Sequence, residues 1–185
     1  MGTRSHPAVA NQPYFVTAAT NNRQPIFRDH EAADLMLTEL SRLRDELGFA
    51  LLGYALMPDH IHLIVVPTSA AKLSQITQSA KGRFARLWNK RRGHQGHIWQ
   101  PRFYESAVRT QEQLGQWLEY VDRNPVQAGL AQSPEEYPYC SAGGKLKADI
   151  EAYLGGSRTD RAKARPSEGK QPPGRLMATG GQVKR

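Results

Sequence analysis

The order of predicted elements along this 185-residue chain is β-α-β-β-α-β-α, which specifies an α+β fold. The architecture expected is a ferredoxin-like split βαβ with an antiparallel sheet of four to five strands and one additional C-terminal helix. Three observations lead there: β-branched, aromatic and aliphatic runs bounded by turn residues, long segments with helical apolar spacing between them, and a capping signature near residue 110.

Tyr14 to Thr20 is rich in β-branched and aromatic residues and ends at Asn21-Asn22, so it reads as the first strand. Asp29 is the expected N-cap of a helix to Leu47, whose Met36, Leu40, Leu43 and Leu47 repeat at 4-3-4 spacing before Gly48 stops it. Phe49 to Met57 and His60 to Val66 read as two strands, and the Pro58-Asp59 turn between them makes a hairpin. A second helix is expected over about residues 70–91, with Leu73, Ile76, Ala80, Phe84 and Leu87 as its apolar stripe. Arg102 to Arg109 is the expected fourth strand. Thr110 with Gln113 forms a capping box for a third helix, its apolar face at Leu114, Trp117, Leu118 and Val121, closed by Pro125.

The folded domain is expected over residues 12–155, followed by a basic tail at 156–185 whose Gly, Pro and Ser content predicts disorder. The longest apolar run, Phe49 to Met57, is too short to cross a bilayer, so no membrane partner is expected. The single cysteine, Cys140, excludes a disulfide framework, and the N-terminus carries no signal-peptide core, which points to the cytoplasm.

Charge is clustered. The net charge is +8, and residues 72–102 hold eight basic and no acidic side chains. Clustering of this kind is the footprint of a polyanion binder. On the second helix, Lys72, Arg83, Arg86 and Lys90 fall on one stripe beside the apolar face, and Arg91 and Arg92 extend it. Arg102 follows in the same block, while Trp99, Phe103 and Tyr104 offer planar groups for base stacking. Core packing is the competing reading of those aromatics.

His60 and His62 open the third strand. Residues two apart on a strand share a face about 6.6–7 Å apart at the backbone, so two imidazoles can converge on one ion. Taken alone, the pair reads first as two structural histidines on a half-polar face. On the third helix, Tyr120 and Asn124 stand at i and i+4 on the border of its apolar stripe, where an amide oxygen and a phenol share one face.

The run Met57-Pro58-Asp59-His60-Ile61-His62-Leu63 resembles the signature of HUH nucleases. Ile98 to Glu105, Tyr120 to Val126 and Pro134 to Ser141 follow in the order found in single-tyrosine transposases, most closely their REP-associated branch. The resemblance covers residues 14 to 141. It implies a metal-dependent endonuclease and strand transferase acting on single-stranded DNA, at hairpins or REP-type palindromes, in a bacterial, nucleoid-associated setting. It makes the C-terminal helix the catalytic one, His60 and His62 metal ligands, and Tyr120 the nucleophile. Asn124 becomes the third ligand, where many relatives carry glutamine, and Cys140 stands where serine is usual.

Such chemistry suits these residues. A free phenol with a pKa near 10 is ionised in about one molecule in a thousand at neutral pH, so attack on a phosphodiester gains from a cation that polarises and neutralises the phosphate. The resemblance implies a divalent metal, Mg2+ or Mn2+, and imidazole ligands favour manganese. The expected product is a 5′-phosphotyrosine with a free 3′-hydroxyl. The expected oligomer is a monomer or a homodimer in which Tyr120 serves its own or a partner's histidines. Two alternatives stay open: a non-catalytic single-stranded nucleic-acid-binding module, and a metal-dependent hydrolase that uses water.

Overall fold

In a computed structural model, residues 10–156 are described. Four antiparallel strands, β1 (Tyr14–Ala19), β2 (Ala50–Met57), β3 (His60–Val66) and β4 (Tyr104–Ala107), form one sheet in the order β2-β3-β1-β4. With α1 (His30–Leu47) after β1 and α2 (Leu73–Arg92) after β3, this is the ferredoxin-like arrangement expected from the element order. The predicted basic tail lies outside the described residues.

Strand alternation divides the core into two layers. Tyr14, Val16, Tyr54, Leu56, Ile61, Leu63 and Val65 face α1 and α2 on one side. Phe15, Ala55, Met57 and Ile64 face the third helix, α3 (Gln111–Gln127), on the other. The histidines lie on the α3 side, because their neighbours Ile61 and Leu63 take the opposite face. Helix α3 approaches β2 closely at Gly53, beside a bulge: a Cβ there would stand 2.9 Å from Leu118 Cδ2.

The helix ends follow the expected chemistry. The Asp29 carboxylate accepts from the Glu31 and Ala32 N–H groups, and Gly48 leaves α1 in the left-handed region at φ +66°. Thr110 Oγ1 accepts from Gln113 N at 3.1 Å, while the Gln113 carboxamide takes the Arg109 N–H, one residue earlier than a reciprocal capping box.

Three expectations are corrected. Helix α2 starts at Leu73, and Trp88, four residues after Phe84, is its buried residue in the last turns, with Leu87 only partly buried beside it. Strand β4 is only four residues long. Pro125 does not close α3, which runs on to Gln127. A proline so near the end deprives one carbonyl, that of Val121, of its partner. The last turn stays bonded through Ala128 N to Asn124 O at 3.0 Å and Leu130 N to Pro125 O at 2.9 Å, and Gly129 at φ +71° supplies the stop.

Beyond α3, residues 137–149 run along the outer edge of β2. Leu56 N donates to Tyr139 O, Ser141 N to Tyr54 O, and Asp149 N to Leu51 O, at 2.7–2.9 Å. The Tyr137 hydroxyl donates to Leu56 O at 2.7 Å, and Tyr54 Oη accepts from Leu146 N at 2.9 Å. A short helix, α4 (Ile150–Gly156), follows. The segment covers a row of backbone groups that would otherwise be an open sheet edge. It was not anticipated as an element, because its pairing with β2 spans more than eighty residues.

Candidate active site

The two-residue turn at Pro58-Asp59 pairs Met57 with His60 and starts β3 with a histidine. His60 and His62 then point to one face, and their Nε2 atoms lie 3.1 Å apart. Two nitrogens bound to one ion at about 2.0–2.1 Å stand roughly 2.8–3.4 Å apart at octahedral to tetrahedral angles. The pair therefore already has the bite of a chelate.

Each ring's other nitrogen is held. His60 Nδ1 lies 2.6 Å from Asp59 Oδ1, and His62 Nδ1 lies 2.8 Å from Thr17 Oγ1, supplied by the facing position of β1. When Nδ1 donates in both contacts, both Nε2 lone pairs face the common point, the arrangement that outer contacts give to metal-binding imidazoles. Burial, then the charges of His60 and Arg23, hold His62 well below the ordinary histidine value, so it is neutral and able to ligate. Burial works to raise the Asp59 carboxyl, but the hydrogen bond and charge of His60 and the charge of Arg23 outweigh it and leave it below its ordinary value.

Aromatic packing fixes the rest. Phe15 stacks with both His62, ring centroids 5.3 Å apart, and Trp117, 3.8 Å apart. Tyr120 meets His62 edge-on with ring centroids 5.5 Å apart, and also touches Phe15 and Trp117. It is half-buried, and its hydroxyl makes no hydrogen bond among the described residues. Tyrosine and histidines thus come together within one chain. Asn124, one helical turn on and half-buried, shares the Tyr120 face, with no hydrogen bond from its side chain to either histidine among the described residues. No three His, Cys, Asp or Glu side chains cluster among the described residues, so a third ligand would be an amide, water or phosphate oxygen.

The basic block is placed differently from the histidines. Helix α2 packs on the opposite side of the sheet, and three of its arginines are engaged by α1 and its N-cap: Arg83 with Glu46, Arg91 with Glu31, and Arg92 with Asp29 and Glu31. Lys72, Arg86, Lys90 and Arg102 are exposed, without an ion pair among the described residues. Trp99 cannot serve as a stacking platform. It is 7% exposed, packs on Phe27 and Phe84, and donates from Nε1 to Lys81 O. Phe103 is half-buried against the same core, whereas Tyr104, 43% exposed, stands on the histidine face opposite Thr17. Cys140 is fully buried, its thiol pushed up by burial, and it packs beneath α3.

Sequence reasoning missed Thr17, Asp59, Phe15 and Arg23. Asp59 adjoins His60 and was legible only as a turn residue; the others enter through cross-strand register and a loop.

The family described as "Transposase IS200 like" matches residues 8–124. A provisionally named REP-associated tyrosine transposase of Haemophilus influenzae is 29% identical over 112 residues, covering 55% of this chain and 64% of that protein, just under two-thirds of its length. A REP-associated tyrosine transposase of Escherichia coli K12 is 24% identical over 134 residues, covering 68% and 73% of the two chains. Among solved structures, a REP-associated tyrosine transposase bound to a REP hairpin superposes with a TM-score of 0.67 at 20% identity, covering 76% of this chain and 82% of that one.

Proposed function

The chain belongs to the IS200-like transposase family, and from that premise we propose that it is a metal-dependent single-stranded DNA endonuclease and strand transferase. Its substrate is a hairpin-forming strand, a reading supported by the REP hairpin in the solved relative. The observation that carries the proposal is the convergence of two Nε2 atoms 3.1 Å apart with the Tyr120 ring 5.5 Å from His62.

Tyr120 Oη attacks the scissile phosphorus, and the bond from phosphorus to the 3′ oxygen breaks. The phenolic proton passes to solvent, and the leaving 3′ oxygen takes up a proton. One phosphodiester replaces another, so the 5′-phosphotyrosine keeps the bond energy and the free 3′-hydroxyl can reverse the step. His60 and His62 would hold a divalent cation through Nε2, with Asn124 Oδ1 as the third protein ligand; when bound, it neutralises charge on the phosphate. Phe15 and Trp117 wall the tyrosine and His62 from water on the sheet side, and Thr17 and Asp59 keep both imidazoles oriented.

Incubating the protein with single-stranded hairpin DNA and Mn2+, then running a denaturing gel, tests this. A covalent protein–DNA adduct is expected, lost in Tyr120→Phe and on addition of EDTA, with DNA binding retained by the variant. Cleavage without an adduct would mean a hydrolase using water, and binding alone a non-catalytic module. Either result overturns the proposal.

A further inference from the structure

We infer that Arg23 is the phosphate-binding residue of this site, contacting the non-bridging oxygens of the phosphodiester held at the histidine pair. The inference rests on the strand-transfer reading above. A phosphodiester at His60 and His62 needs cationic partners, and the basic block on α2 lies across the sheet. Arg23 belongs to the first 71 residues, where acidic side chains outnumber basic ones. Yet its Nη1 lies 3.4 Å from His60 Nδ1 and 3.4 Å from Asp59 Oδ2. The two nitrogens of an imidazole are separated by a single ring carbon. A guanidinium touching Nδ1 is therefore within reach of a phosphate presented at Nε2.

The contact to His60 is not itself a bond once Nδ1 carries the proton that Asp59 takes, because both groups then donate. What holds Arg23 is the second oxygen of Asp59, at a long distance and through one of five N–H donors. The side chain is 43% exposed, and among the described residues only its Nη1 is in contact with a partner. A planar fork of this kind suits bidentate contact with phosphate oxygens.

The backbone around it points the same way. Asn22 and Arg23 are consecutive non-glycine residues in the left-handed region, at φ +51° and +54°. Asparagine tolerates that conformation; arginine does so rarely and at a cost. The loop is pinned to the hairpin turn by fully buried Thr20, whose N–H donates to Asp59 O and whose hydroxyl lies 2.8 Å from Gln24 O and 2.9 Å from Asp59 O. Phe27 N donates to Pro58 O, and Asn21 N to Ile98 O. Strain that surroundings enforce in this way is characteristic of functional positions. A residue retained only for a surface ion pair would gain little from it.

The test compares wild type with Arg23→Gly and Arg23→Lys. Binding of a fluorescently labelled single-stranded hairpin oligonucleotide is followed by anisotropy in EDTA over a series of KCl concentrations. Arg23→Gly is expected to weaken binding about tenfold and to make the log–log salt slope shallower by about 0.7. Its melting temperature should stay level or rise, because glycine accepts the left-handed conformation. Arg23→Lys should restore the slope but only part of the affinity, since a point charge replaces a fork.

Unchanged metal-free binding in Arg23→Gly, with or without a lower melting temperature, would overturn the inference and leave Arg23 as a structural ion pair. A loss confined to Mn2+ affinity, titrated without DNA, would overturn it in favour of action through Asp59 on His60. The two readings fail separately. Adduct formation without any Arg23 dependence of binding removes this inference alone, and Arg23-dependent binding without an adduct removes the transferase alone.

Discussion

Thr17 reaches the candidate site through a single hydroxyl, held against His62 across the β1–β3 pairing. Its Oγ1 lies 2.8 Å from His62 Nδ1, and when it accepts from that nitrogen the Nε2 lone pair is left for a metal ion. Thr17→Val keeps shape and strand propensity but removes the acceptor. Mn2+ affinity should fall about 10- to 100-fold while the melting temperature moves little, as titration and thermal unfolding would read. At this scale the sequence was legible where chemistry and spacing coincide: two histidines two apart on a strand, and a tyrosine four residues before an asparagine on a helix. Thr17 was illegible because nothing local ties residue 17 to residue 62; only the antiparallel register of β1 on β3 does. Arg23 was hidden for a related reason, since a left-handed pair of non-glycine residues has no signature in composition. Trp99 misled because an aromatic in a basic block looks the same whether it faces a base or a core.

At the scale of elements, Asp29, Gly48 and the apolar spacing of α1 carry its limits in the sequence itself, and so does the Thr110 cap of α3. The basic stripe of α2 was visible, but not its neutralisation. The acids that engage Arg83, Arg91 and Arg92 lie 37 to 63 residues earlier, on α1 and at its N-cap. The segment along β2 is the other element that only the fold reveals. It is tied down by two phenols, Tyr54 and Tyr137, each pushed up to about 12 by burial. Tyrosines of an unfolded chain ionise near 10. The contribution of these two is therefore whole below about pH 10 and lost as pH climbs toward 12, because the unfolded state releases its protons first. Thermal melts across that window should show the decline. Tyr137→Phe should lower the melting temperature at neutral pH, by removing the bond to Leu56 O, and should flatten the alkaline fall.

For the whole molecule, the element order predicts the sheet topology, and the order β2-β3-β1-β4 agrees with it. Chain ending at residue 136 would retain all the side chains of the candidate centre, yet it would strip the hydrogen-bond partners from the outer edge of β2. Such a truncation should aggregate by edge pairing, seen as an early-eluting species in gel filtration, whereas a chain ending at residue 156, which keeps those partners, should show no such species. The sheet also has two unlike sides, with the imidazoles, phenol and Arg23 on one and α1, α2 and the salt-bridged arginines on the other. A single layer of strands insulates the two. Drift among the surface residues of α1 and α2 can therefore reshape what the molecule meets from behind while the histidine–tyrosine cluster in front keeps its geometry.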